Sequence, residues 1–372
     1  MRILLAPSAY YPNIGGIEET TLQLARALTG LGHEIQIVTH GWGAGGPRSE
    51  TRDGFKVTRL SLPLPSTAAR FAVIGTADAA RLLTLVRRFR PDVVHAIGGG
   101  HLLAYLVTLR RLLGAPLVFT AQGLGRYDAY GTPQRGSPLR AGLRRVLAEG
   151  DHVTACSAYI LDGLAEVGPI LAPSSVILNG VEPADFAGHP PEKGLERSVL
   201  AVGRLVDQKA FDVLLEAFRS ERLAGLSLVI AGDGIERERL EAQAAQPELR
   251  DRVRFLGAAD RARIASLLHG ARLFAFPSRY EPFGIALLEA MAVGVPAVAT
   301  ATGGILDFAR DEENAVLVPP DDPDALAAAI ARVDADDDLR QRLVAGGRET
   351  AAELTWSRLV DRYLEVYISA AS

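Results

Sequence analysis

The 372 residues contain one cysteine, Cys156. That excludes an internal disulfide and fits a reducing compartment, with Cys156 a small buried residue after a strand. Lysine is nearly as scarce: Lys56, Lys193 and Lys209 stand against 37 arginines. No run approaches 18 apolar residues, so no stretch reads as a membrane-spanning helix. The opening MRILLAPSAYYP is too short in apolar residues for a secretory leader and reads as a first strand. Aromatic residues make up 6% and are not interleaved with basic ones, and the net charge is −4, which argues against a nucleic-acid partner. No Asp-x-Asp follows a strand and no His/Cys cluster has ligand spacing, so no metal site is read. No G-x-G-x-x-G follows the first strand, which speaks against a nicotinamide dinucleotide.

What is present describes a globular chain, 48% hydrophobic and 23% charged, too long for one core. Two domains are expected. Charge is shared unevenly, with a net of +5 over residues 1–182 and −9 over 183–372. Arg81, Arg87, Arg88, Arg90, Arg110, Arg111, Arg140, Arg144 and Arg145 could lie against anionic lipid. Their dispersal favours ordinary solvated helix faces, and the membrane-surface contact stays open.

Apolar strands alternate with amphipathic helices along the whole chain. A buried strand at 2–6 is followed by Gly15-Gly16 and a helix from about Glu18 to Leu31. Glycines at such a crossover let bare backbone approach a ligand. Further strands are read at 35–39, 55–60, 93–96 and 117–120, and helices at 72–89 and 102–113. Residues 41–47 and 126–138 are rich in glycine, proline and polar residues and read as loops. His95, Gly98-Gly99-Gly100 and His101 sit between a strand and a helix, His101 with either a ligand-facing or a capping role. Asn179-Gly180-Val181-Glu182-Pro183 is a turn and a boundary signal. The rhythm restarts with a strand at 198–202. Gly203, Arg204 and Lys209 then lie on a loop before a helix from Phe211, placing two cations where a diphosphate could rest. The acidic stretches at 319–323 and 334–338 read as helix N-caps rather than cation sites.

One stretch organises the rest: FPSRYEPFGIALLEAMAVGVPAVATATGG, Phe276 to Gly304. A strand ends, a Glu281-Pro282-Phe283-Gly284 turn opens a helix at Ile285, and a second strand ends in Gly303-Gly304. Parallel units place ligands at the carboxyl ends of their strands, and a helix N-terminus favours an anion. Glu281 and Glu289 frame that end with groups that accept hydrogen bonds from sugar hydroxyls.

The Glu281-x7-Glu289 spacing, with its turn and glycine pair, resembles the signature of retaining GT-B glycosyltransferases of family 4, the family with sucrose synthase-like and phosphatidylinositol mannosyltransferase-like members. GRLVDQKAFDVLLEAF at 203–218 is similar to the family's cationic loop, and P-x-x-G-G-x-E at 12–18 to its N-terminal loop. The resemblance implies an α/β chain of two Rossmann-like domains facing across a cleft: acceptor-binding residues 1–185, nucleotide-sugar-binding residues 186–355, and a C-terminal helix, 356–372, crossing back to the first domain. It implies retaining transfer from a nucleoside-diphosphate sugar to a small-molecule, glycan or lipid-linked acceptor, without metal or other cofactor. Arg204, Lys209 and Glu281 would carry the chemistry. Gly15, Gly16, Gln122, Gly203, Leu256, Phe283, Gly284, Ile285 and Glu289 would bind the donor. The enzyme is expected in the cytoplasm, with peripheral contact at the inner membrane face left open. A sugar-nucleotide epimerase, a phosphorylase and a non-catalytic sugar-nucleotide binder remain as alternatives. Four positions depart from the family: Ala210 for Gly, Gln122 for His, Asp307 for Glu and Ala315 for Gly. Gln122 can hydrogen-bond but cannot take a proton near neutral pH.

Overall fold

The central strands of both halves are continuous apolar runs, as expected of parallel strands covered by helices on both faces. In the computed structural model Ile3, Leu4 and Leu5 of the first strand have no exposed surface. The structure describes residues 1–11, 15–41, 49–62, 76–123 and 138–372. All but the last residue of the expected loop at 126–138, nearly all of that at 41–47, Pro12 to Ile14 and the first turn of the helix expected from Ala72 lie outside these residues; Pro138 itself opens the helix Pro138–Glu149. The chain divides into two compact units, Met1–Asn179 with Trp356–Ser372, and Gly180–Thr355.

The first unit holds β1 (Arg2–Pro7), β2 (Glu34–His40), β3 (Ser49–Arg52), β4 (Phe55–Leu60), β5 (Val93–Ile97), β6 (Leu117–Ala121), β7 (His152–Ala155) and β8 (Ser174–Val176). Their order is β3-β4-β2-β1-β5-β6-β7-β8. All pairs are parallel except β3–β4, a hairpin closed by Asp53-Gly54 with φ of 52° and 86°. The sequence reading missed β3, although Asp-Gly between short strands is a hairpin signal. Strand order reverses between β1 and β5, so the loops after them part at the sheet's carboxyl edge.

The helix Trp356–Ala371 completes this unit. Its Trp356, Val360, Tyr363, Val366 and Tyr367 enter the core formed by β1, β2 and the helix Gly16–Gly30. A polar ladder fixes its register. His95 is fully buried, with Nδ1 2.7 Å from Tyr367 Oη and Nε2 2.6 Å from Thr120 Oγ1. Thr120 in turn bonds Thr154 across β6 and β7 at 2.5 Å. Burial pushes the His95 imidazole down to about 3, so it is neutral here. Cys156, after β7, is fully buried as expected.

The second unit is a parallel sheet among the described residues: β9 (Ser198–Val202), β10 (Ser227–Ala231), β11 (Val253–Gly257), β12 (Leu273–Phe276), β13 (Ala297–Thr300) and β14 (Val316–Val318). The order β11-β10-β9-β12-β13-β14 reverses between β9 and β12. Leucine, isoleucine and valine from β9, β10 and the helices Phe211–Ala217 and Pro323–Ala335 form its core. The acidic stretches are caps. Asp322 accepts the Ala325 N–H and Asp336 the Leu339 N–H, both at 2.9 Å.

Candidate functional site

At the strand-order reversal of the second unit, β9 and β12 are neighbours and the loops after them meet. The loop after β9 forms a single 3-10 turn, Asp207–Lys209, ended by Ala210 in the left-handed region at φ 51°. Alanine there costs about 1 kcal/mol that the family's glycine avoids. The turn aims Lys209 across at the β12 loop. Lys209 Nζ lies 2.5 Å from Glu281 Oε2 and 5.0 Å from the Phe276 ring centroid. Ser278 Oγ donates to the same carboxylate oxygen at 3.2 Å. With side chains 16% and 9% exposed, Lys209 and Glu281 form a largely desolvated pair. Removing one member of such a pair strands the other, which is the costly change.

Backbone contacts fix both loops. Gln208 Nε2 donates to Tyr280 O, and the Arg279 N–H donates to Gln208 O, each at 2.9 Å. The end of β13 supports the Glu281 loop from the other side. Thr300 Oγ1 donates to Ser278 O at 2.5 Å and Thr302 Oγ1 to Arg279 O at 3.1 Å. The Gly304 N–H donates to Glu281 O at 2.9 Å. A Cβ on Gly303, whose φ is +56°, would lie 2.1 Å from Glu281 O, so only glycine lets the two backbones approach.

Gly284, with φ +104°, opens the helix Ile285–Val293, and no side chain caps it. Among the described residues, its first-turn N–H groups thus have no side-chain acceptor, the kind of helix N-terminus that favours an anion. Arg204 is exposed, and among the described residues its side chain has no hydrogen-bond or ion-pair partner. Gly203 follows β9 directly, its N–H bonded to Ala231 O at 3.1 Å. Glu289, on the second turn of the helix, is 3.2 Å from Arg261 Nη1. Arg261 also reaches Asp185 at 3.3 Å and lies 4.7 Å over the Phe186 ring. Sequence reasoning missed Arg261 and Asp185, for no local pattern marks them.

The remaining expected residues are spread more widely. Leu256 is half-buried near the end of β11. The Phe283 ring is buried 5.0 Å from Phe308, so it packs the core and only its backbone is left to meet a ligand. In the first unit Gly15 is the extended N-cap of its helix, and Gly16 is exposed. Gln122, after β6, forms a reciprocal amide pair with buried Asn179, at 3.0 and 2.9 Å. Thr20 Oγ1 also donates to Asn179 Oδ1 at 3.4 Å. His101 contacts Leu62 O through Nδ1 at 2.7 Å and lies 4.7 Å from the His40 ring.

Known proteins give the same picture. The model of glycosyltransferase family 4 matches residues 14–185, and that of glycosyl transferases group 1 matches 186–350. A glycogen synthase of Mycobacterium tuberculosis is 30% identical over 100% of this chain and 95% of its own length. Among solved structures, sucrose-phosphate synthase from Thermosynechococcus elongatus superposes with a TM-score of 0.81 at 24% identity, covering 100% of both chains. HepE of Anabaena, solved with UDP and glucose, gives 0.78 at 18% identity over 99% of this chain and 100% of that one. With its two α/β units, parallel sheets and full-length match, the chain belongs to the GT-B glycosyltransferases of family 4, whose second half is the group 1 domain.

Proposed function

We propose that this glycosyltransferase moves a sugar from a nucleoside-diphosphate donor to an acceptor hydroxyl with retention of configuration and without a metal. The observation that carries the reading is the Lys209–Glu281 pair beside an uncapped helix N-terminus at the β9/β12 reversal. An anion binding there meets Lys209, exposed Arg204 and the N–H groups after Gly284. Those are preorganised stabilisers for a departing diphosphate.

The bond from the anomeric carbon to the diphosphate oxygen breaks toward these groups, and the acceptor oxygen bonds the carbon from the same face. The acceptor's proton passes to the departing phosphate oxygen, so no side chain need act as nucleophile. Glu281 accepts hydrogen bonds from the sugar hydroxyls and Glu289 from the ribose. Gly203, Leu256, Phe283 and Ile285 line the nucleotide through their backbone, and residues 186–355 serve as the donor domain. Gly15, Gly16 and Gln122 belong to the acceptor domain, 1–185, and are proposed as further donor-binding residues. HepE's complex with UDP and glucose supports a nucleotide-sugar donor. Among the described residues no helix is long and apolar enough to cross a membrane. A lone, buried Cys156 supports reading the enzyme as cytoplasmic, with the basic helices of its first half as the proposed surface for peripheral contact with the inner membrane face.

The test is incubation with a panel of nucleotide sugars, reading free nucleoside diphosphate and the anomeric configuration of the product by NMR. Release by at least one donor, retained configuration and full activity in EDTA are expected. Inverted product overturns the stereochemistry. Activity abolished by EDTA and restored by magnesium overturns the cationic leaving-group site.

A further inference from the structure

Arg279 lies between β12 and Glu281, and the segments after three other strands at the carboxyl edge of the second sheet, β9, β13 and β14, converge on it. Its Nη1 and Nη2 grip Asp212 in a fork, at 3.0 Å to Oδ1 and 2.8 Å to Oδ2. Nη1 also donates to Asp207 O at 2.7 Å and Asp207 Oδ1 at 3.1 Å. Nε donates to Asp321 Oδ1, after β14, at 2.6 Å. The Arg279 carbonyl accepts from Thr302, after β13, and its N–H donates to Gln208 O.

These contacts differ in weight. Asp207 and Asp321 have side chains 72% and 56% exposed, so their charges are screened and add little. Asp212 and Arg279 are 22% and 24% exposed and meet through two parallel bonds, the geometry that makes an arginine–carboxylate pair strong and directional. Burial raises the Asp212 carboxyl, and the bonds and charge of Arg279 more than reverse it, holding it below the ordinary range. Asp207 begins the 3-10 turn that ends in Lys209, and Asp212 lies in the first turn of the helix that follows. Arg279 thus holds the chain on both sides of Lys209.

We propose that Arg279 is a positioning residue: it fixes the 207–212 loop so that Lys209 stands against Glu281, and it acts on turnover only through that loop. The kinetic part rests on the reading of Lys209 as a leaving-group stabiliser; the structural part does not. Lysine cannot replace Arg279, because one ammonium cannot span Asp212 and the Asp207 carbonyl at once.

The chain's scarcity of lysine supplies the test. Reductive methylation with carbon-13 formaldehyde labels Lys56, Lys193, Lys209 and the terminal α-amine, and the signal lost in the Lys209→Ala variant is that of Lys209. In Arg279→Gln, and in the milder Asp212→Asn, the Lys209 signal is expected to move or broaden while those of Lys56 and Lys193 stay in place. Turnover is expected to fall at least tenfold in Arg279→Gln and not to recover in Arg279→Lys. In a Lys209→Ala background, Arg279→Gln is expected to change turnover less than twofold, as for residues acting as one unit. An unmoved Lys209 signal in both variants overturns the proposal, as do losses that simply multiply. If Lys209→Ala keeps full turnover while the signal still moves, the catalytic reading of Lys209 fails and the positioning by Arg279 stands.

Discussion

Gly98 follows β5 in the first unit and Gly303 follows β13 in the second, both with positive φ, yet a methyl group on each would meet different neighbours. At Gly98 it would lie 2.7 Å from Ser8 Oγ and 2.9 Å from Ile17 Cδ1, the free ends of side chains that can turn aside. At Gly303 it would lie 2.1 Å from the backbone carbonyl of Glu281, which cannot. The carboxyl edge of the second sheet is packed backbone on backbone and braced by ion pairs. The reversal point of the first sheet is packed through side chains, and its unit is held by a neutral polar ladder to the C-terminal helix. A site that must present fixed charges to a leaving group needs the first plan.

The sharpest test of this contrast substitutes alanine at both glycines. Gly303→Ala combines left-handed strain with backbone overlap and is expected to destabilise by about 2 to 5 kcal/mol. Gly98→Ala is expected to lose only the strain, about 1 to 2 kcal/mol. Equal losses in denaturant melts would remove the distinction.

Lys209→Ala and Arg204→Ala are each expected to lose about 2 to 4 kcal/mol of transition-state stabilisation, measured as kcat/KM. They should differ in stability. Lys209→Ala leaves Glu281 buried without its cationic partner, whereas Arg204→Ala removes an exposed charge with no partner among the described residues and should shift the folding free energy by less than about 0.5 kcal/mol. Near-wild-type turnover in both would sink the assignment.

In the first unit the sensitive probe is pH. Unfolded His95 takes a proton near its ordinary value of 6.5, while the folded imidazole, pushed down to about 3 by burial, does not. The unfolded state therefore binds more protons between those values, and stability falls as pH falls through that window. The slope from His95 is about 1.4 kcal/mol per pH unit, with none above pH 6.5. His95→Gln should remove that component of the wild-type slope, and an unchanged slope would show the ring to be accessible.

The smallest effect is expected at Gln122. Losing its amide leaves buried Asn179 with fewer partners, which costs about 1 to 2 kcal/mol of stability. Turnover should drop about tenfold, or about 1.4 kcal/mol, if the amide also reaches the reacting groups. Kinetics unchanged in Gln122→Ala and Gln122→His across several donors would confine it to holding Asn179.

Local order along the chain was legible because it has a period. The buried parallel strands read as apolar runs, the helices as amphipathic ones, and Gly284 and Gly294 marked the ends of the helix between them. Glu281, Glu289, Arg204 and Lys209 could be picked out because each lies in a short stretch of recognisable spacing. The pairing among them could not. Lys209 meets Glu281, and Arg279 meets Asp207, across 72 residues, and Arg279 meets Asp212 across 67. Nor did the sequence separate Phe283, whose ring packs the core, from its neighbours that open the helix. His95 looked like one more histidine at a strand end, and only its burial, against Tyr367 and Thr120, keeps it neutral well below its ordinary value of 6.5. Sequence spacing sets which way a side chain leaves its own strand or helix. Which charge it meets there, and how much water is left around it, depends on strands made neighbours by the order of the sheet.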